Sequence, residues 1–307
     1  MAENHWFPNW TPAPVRCKNC RPSCTAQFRF ARGEAFQFMF LRFICRIASS
    51  RATWTGTRWP AKAMTRVFVA DDGRHVPAVT ADEMREIDRL AIQETGPNLF
   101  QMMENAGRNL ARMALDIIGD GWERAHVLVL AGGGGSGGGG ICAARHLANR
   151  DIDVALVLSA PDRLGEVPAF QRKVFASTRG REIDVAALGR DRADLIIDAL
   201  IGYSLRDAPQ GRAAELIAWA NHSGVPILAL DVPSGVNATT GECPGAWIKA
   251  QTTLTLALPK TGLAHESVGE LWAADLGIPR NTFERAGVRY VDPFRAHDSI
   301  RLTSKKP

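Results

Sequence analysis

The chain has 307 residues, 46% of them hydrophobic and 22% charged, with a formal net charge of +5. That length buries one large core or two modest ones, and the composition is that of an ordinary soluble globular protein. The charge is uneven: residues 1–63 carry ten Lys/Arg against two Asp/Glu, a balance of +8, and residues 64–307 carry 27 against 30, a balance of −3. A mildly acidic body gives no support for nucleic-acid binding, and none is expected.

Residues 1–63 read as a disordered basic extension. They are Arg-rich and acid-poor, as in a transit peptide, and Met64 offers a second start. Cys17, Cys20, Cys24 and Cys45 have zinc-ligand chemistry, but their spacing fits no familiar finger, so free thiols are the plainer reading. Only Cys142 and Cys243 lie in the body, which suits a reducing, cytoplasmic compartment and gives no disulfide framework. No apolar run reaches the roughly 18 residues of a membrane span, and Phe36–Ile47 is interrupted by Gln37, Arg42 and Arg46.

The organised sequence opens at Thr80-Ala81-Asp82-Glu83, a capping box before an amphipathic helix that places Met84, Ile87, Leu90 and Ala91 on one face and runs to about Glu94. Gly96-Pro97 breaks it, and a second helix follows over 99–118. Apolar runs then predict strands at 126–131, 153–158, 194–198, 226–231 and 252–258, with helices near 139–149, 167–177 and 211–222. Strands apolar throughout and separated by helices imply a parallel sheet covered on both faces. The expected fold is a single α/β domain over 64–292, a three-layer, Rossmann-like, doubly wound sheet with its site at the carboxyl ends of the strands. Residues 293–307 read as a frayed tail.

Between the first predicted strand and its helix, residues 132–140 are Gly-Gly-Gly-Gly-Ser-Gly-Gly-Gly-Gly. A strand, a turn without side chains and a helix start present backbone N–H groups to an anion, usually a phosphate. The run satisfies the dinucleotide fingerprint only formally. The strand at 153–158 leads into Ser159-Ala160-Pro161, and the first carboxylate, Asp162, lies beyond the proline. A hydride-transferring dehydrogenase is therefore a poor fit, and without a following Lys-Ser or Lys-Thr the loop is no Walker motif. Two strand ends are more specific: Ile197-Asp198-Ala199-Leu200-Ile201-Gly202 and Leu230-Asp231-Val232-Pro233-Ser234-Gly235. One carboxylate ending a buried strand is commonly a cap; two beside a phosphate-type loop suit cation or ribose binding, or proton transfer.

These segments resemble the YjeF N-terminal family, the NAD(P)H-hydrate epimerases, over about residues 78–290. The resemblance is carried by Met103-Glu104-Asn105-Ala106-Gly107-Arg108, the glycine loop with Ala143-Ala144-Arg145-His146-Leu147, the two strand ends, Lys249-Ala250, Pro259-Lys260 and Asp275-Leu276-Gly277-Ile278-Pro279. It implies an isomerase that equilibrates the two C6 epimers of hydrated NADH or NADPH for a partner dehydratase, as a homodimer with one potassium ion per subunit. It further implies that Gly135, Ser136, Gly137, Gly138 and Gly139, with Gly202, Tyr203, Ser204, Leu205, Arg206, Asp207 and Ala208, hold the substrate. Asp231 would contact it, Asp207 and Asp231 would be catalytic, and Ser136, Asp198 and Ser234 would hold the potassium. The family loop reads Gly-Pro-Gly-Asn-Asn-Gly-Gly-Asp-Gly, so Gly135 and Ser136 replace its asparagines and Gly139 its aspartate. Three readings stay open: an epimerase, a relative that binds nucleotide without epimerising it, and another enzyme acting on a nucleotide-like or sugar substrate.

Overall fold

The computed structural model describes residues 67–189, 193–264 and 268–305; the expected extension at 1–63 and its cysteines lie outside them. A hairpin of β1 (Val67–Ala70) and β2 (His75–Pro77) leads to α1 (Ala81–Leu90). The capping box closes as the sequence predicts: Glu83 N donates to Thr80 Oγ1 at 3.2 Å, and Thr80 N to a Glu83 carboxylate oxygen at 2.7 Å. Helix α2 (Leu99–Ile118) starts with the same device, Asn98 and Gln101 exchanging two 3.0 Å bonds. The alternating part follows as β3 (His126–Ala131), α3 (Gly135–Ala148), β4 (Asp153–Leu158), α4 (Glu166–Phe175), β5 (Arg181–Glu182), β6 (Leu195–Ala199), α5 (Gly211–His222) and β7 (Ile227–Leu230). It ends with β8 (Thr252–Leu256), β9 (Glu270–Ala274), α6 (Arg280–Arg285) and β10 (Ser299–Lys305).

One ten-stranded sheet runs β2-β1-β10-β9-β8-β7-β6-β3-β4-β5. The seven strands from β9 to β5 are parallel, and β10, β1 and β2 add an antiparallel edge. Strand parity sorts the core. Val127, Val129, Leu228 and Leu230 pack toward α1–α4, whereas Leu128, Leu130 and Ile196 pack toward Leu216, Ile217 and Ala220 of α5. This is the expected three-layer arrangement. From β3 the chain moves outward to β4 and β5, then returns to place β6 on the other side of β3. The helices that follow β3 and β6 pack on opposite faces of the sheet, and in such a sheet ligands bind in the crevice at the strands' carboxyl ends.

Two expectations change. Within the stretch expected to be a frayed tail, residues 299–305 form β10, which pairs with β9 and β1, and its alternating Ile300 and Leu302 are buried. Helix α3 starts at Gly135, about four residues before its predicted start, so the glycine run is itself mostly first helical turns. Among the described residues, no helix is long and apolar enough to cross a membrane.

Candidate active site

Four strand ends build the crevice. After β3, a Cβ on Gly137 would collide with the Gly132 carbonyl, and one on Gly132 with the Leu200 carbonyl. The turn therefore folds tightly against itself and against the end of β6, an approach only glycine allows. Helix α3 has no side-chain N-cap, so no side chain occupies its leading amides, which with the positive end of the helix dipole suit an anion.

At the end of β6, Asp198 is fully buried. Its Oδ1 accepts from Leu200 N at 3.2 Å and Ser234 Oγ at 2.6 Å, and its Oδ2 from Ser234 N at 2.8 Å. Ser234 Oγ in turn accepts from Ile201 N at 2.8 Å, tying the β7 loop to the β6 loop. Burial raises the Asp198 carboxyl to about 6 despite these bonds.

At the end of β7, Asp231 takes φ 69° and Val232 N donates to Leu230 O at 2.9 Å. At the end of β8, Ala257 takes φ 60° and Leu258 N donates to Leu256 O at 2.7 Å. Both are γ-turns of the rare positive-φ form, adjacent in the sheet, where strain is held by surrounding structure. They bring Asp231 to Lys260. The two carry side-chain exposures of 3% and 1% and share a short charge-assisted bond between Nζ and Oδ1. Leu256 N also donates to Oδ1 at 3.2 Å, and the remaining Lys260 bonds go to Leu256 O at 3.0 Å and Thr255 Oγ1 at 3.4 Å. A lysine after a strand and a proline reads most simply as a surface charge; here its head is buried and fixes Asp231.

Of the sequence-predicted residues, Ser136, Gly202 and Asp231 converge: a Cβ on Gly202 would strike Ser136 Oγ and lie 3.5 Å from Asp231 Oδ2. Asp198 and Ser234 also meet, as above. Tyr203 lies half-buried beside Lys260, whose Nζ is 5.8 Å from the ring centroid. Gly135 and Ser204 are exposed and Leu205 and Ala208 half-buried, while Arg206 and Asp207 are exposed at the rim. Asp207 has no hydrogen-bond partner among the described residues. Gly137 and Gly138 are buried. Gly139 faces packing: its Cβ would lie 2.8 Å from Leu230 Cδ2, 3.6 Å from Ala106 Cβ and 3.9 Å from Met103 Sδ. A carboxylate there would enter an apolar seam.

Sequence reasoning missed Asp88 on α1, which accepts a 2.5 Å hydrogen bond from Tyr203 Oη. Its signal was an acidic residue four positions after Met84, at the margin of the apolar stripe of α1. Burial raises its carboxyl to about 6, with Asp231 pushing the same way and the Tyr203 bond and Lys260 opposing.

Comparison with known proteins bears on the family and the fold. The family described as YjeF-related protein N-terminus matches residues 99–262. The NAD(P)H-hydrate epimerase of Dehalogenimonas lykanthroporepellens is 51% identical over 244 residues, 79% of this chain and 100% of its own. That of Rhodopirellula baltica is 35% identical over 215 residues, 66% of this chain and 86% of its own. The bifunctional NAD(P)H-hydrate repair enzyme Nnr of Hyperthermus butylicus is 38% identical over 211 residues, and the match spans 38% of that longer protein. Among solved structures, yeast ynu0 (YNL200c) shares the fold with a TM-score of 0.66 at 20% identity, over 74% of this chain and 100% of that one. The chain belongs to the YjeF-related N-terminal family.

Proposed function

We propose that this crevice interconverts the R and S epimers of hydrated NADH and NADPH, which makes the chain an NAD(P)H-hydrate epimerase, an isomerase. The observation that carries the reading is the convergence, at one switch point, of an anion-receiving glycine loop, the Asp198–Ser234 pair and the Asp231–Lys260 pair. The loop and the turn after Asp198 take the substrate's phosphates, and Asp231, held as a fixed anion, faces the hydrated ring.

Asp198 also fits a potassium ion. It is a fully buried carboxylate met only by Ser234 and Leu200 donors, with no cationic side chain paired to it among the described residues. Asp198, Ser234 and Ser136 offer an oxygen-only donor set, suited to a hard cation. Bound there, the ion supplies positive charge to the loops that hold the phosphates. A homodimer, a dehydratase that consumes the epimerised product and a cytoplasmic setting complete the proposal.

The test incubates the R epimer of hydrated NADPH with the protein and follows the S epimer by chromatography, in potassium and in choline buffer. Conversion above the spontaneous rate, faster in potassium, is expected. Ligand binding without conversion would replace the enzyme by a nucleotide-binding module.

A further inference from the structure

Besides the Asp198–Ser234 pair, two carboxylates lie around Lys260 and Tyr203, and their surroundings assign them different work. Asp231 is locked to Lys260, whose other hydrogen bonds go to Leu256 O and Thr255 Oγ1, so it serves as a standing negative charge. Asp88 has no cation in hydrogen-bond contact among the described residues; its close partner is the Tyr203 hydroxyl, at 2.5 Å. Tyr203 follows Gly202, the residue packed against both Ser136 Oγ and Asp231 Oδ2, and its ring lies under the Lys260 ammonium. The phenol thus connects helix α1 to the centre of the site. Divergent environments for paired titratable groups are how acid and base roles separate.

We propose that Asp88 is the proton store of the epimerisation, acting through the Tyr203 hydroxyl; the proposal rests on the epimerase reading. C6 of the hydrated ring carries a hydroxyl and the ring nitrogen. Tyr203 gives its proton to the departing C6 oxygen while taking one from the Asp88 carboxylic acid. The C6–O bond breaks with its electron pair on the oxygen, water leaves, and the ring-nitrogen lone pair forms a C=N bond to C6. Water then adds to the opposite face, the C=N pair returns to nitrogen, and the proton released passes through Tyr203 back to Asp88. Atoms and charge balance, and no oxidant is required. The positive ring so formed is stabilised by the fixed Asp231 carboxylate.

The charged groups acting on Asp88 are Lys260 and Asp231, with Arg85 of its own helix acting on Tyr203 and itself paired with Asp82. From α6, packed against α1, Arg285 is directed to Glu94 instead. A carboxyl raised to about 6 by burial keeps part of its acid form near neutrality.

The experiment measures kcat and KM for R-to-S conversion of hydrated NADPH between pH 5 and 9, in wild type, Asp88→Asn, Asp88→Glu, Tyr203→Phe and the double variant, with thermal melts alongside. Expected is a kcat loss of about 10²-fold in Asp88→Asn and in Tyr203→Phe, with KM changed less than about threefold. Asp88→Glu should recover part of the rate, and the double variant should be no slower than either single one, because the pair acts as a unit. Wild-type kcat should fall as pH rises through about 6, and this limb should vanish in Asp88→Asn. A purely structural Asp88 would lower the melting temperature and leave the profile's shape intact, which overturns the proposal. So does an Asp88→Asn kcat within threefold of an active wild type, with the epimerase reading left standing. An inactive wild type overturns both.

Discussion

Lys260 shows how one side chain holds the site together. Its ammonium and the Asp231 carboxylate are both almost completely buried, and the positive-φ turn at Asp231 depends on partners that keep the carboxylate in place. Removing one member of such a pair leaves an uncompensated buried charge, which costs about 3–5 kcal/mol. Lys260→Met should therefore lower unfolding stability by that amount in urea titration and reduce epimerisation as Asp231 loses its anchor. A stability within 1 kcal/mol of wild type would show the pair to be solvated. Asp231 was legible in the sequence because it ends an apolar strand before Pro-Ser-Gly. Asp88 was not: what makes it a site residue is Tyr203, 115 positions away, and no spacing rule encodes that meeting.

At the scale of elements, α3 carries two separate constraints. Its glycines are not equivalent, since Gly135 has open space beside it whereas Gly137 abuts the Gly132 carbonyl. Gly135→Ala should raise stability by about 0.5 kcal/mol through the lower entropy of the unfolded chain. Gly137→Ala should lower it by more than 1 kcal/mol, roughly the scale at which strain outweighs that gain; denaturant midpoints of the two variants would distinguish them. The other constraint is the seam with α2. There Glu104 accepts from Arg145 Nη2 at 2.5 and 2.7 Å and lies 2.8 Å from His146 Nε2, with Cys142 Sγ donating at 3.4 Å. Glu104, Cys142 and His146 resemble a metal-ligand set, but the Arg145 guanidinium occupies the middle and supplies the positive charge. Burial would raise the Glu104 carboxyl; its hydrogen bonds to Arg145 and His146 outweigh this and hold it near 2. The folded state thus takes up this proton less readily than the unfolded one. Its contribution is present above about 4.5 and is lost as pH falls toward 2. Glu104→Gln should flatten that part of the melting-temperature profile; an unchanged acid slope would assign it to other carboxylates.

At the scale of the molecule, the sheet is completed by its last strand. Strand β10 lies between β9 and β1, so the opening hairpin joins the parallel sheet through the chain's final residues. A chain ending at Asp298 would lose both ladders and the burial of Ile300 and Leu302. Burial of two such side chains is worth about 3–6 kcal/mol, so calorimetry should show a much lower melting temperature or no cooperative transition. A truncated chain that melts with wild type would make the edge dispensable.

The sequence by itself determined the central elements, because 3.6-residue and continuous apolar patterns record which faces are buried. The parallel strands β3, β4, β6, β7 and β8 and helices α1, α2 and α5 were all readable that way. It also determined the strand-end aspartates and the glycine cradle, whose chemistry is local. Tertiary structure alone decided the edge strands, the burial of Lys260, the direction of Gly139 into the apolar seam and the Asp88–Tyr203 contact. Each of these depends on packing between segments distant in the chain, where the energy belongs to a pair of surfaces and neither segment's sequence contains it.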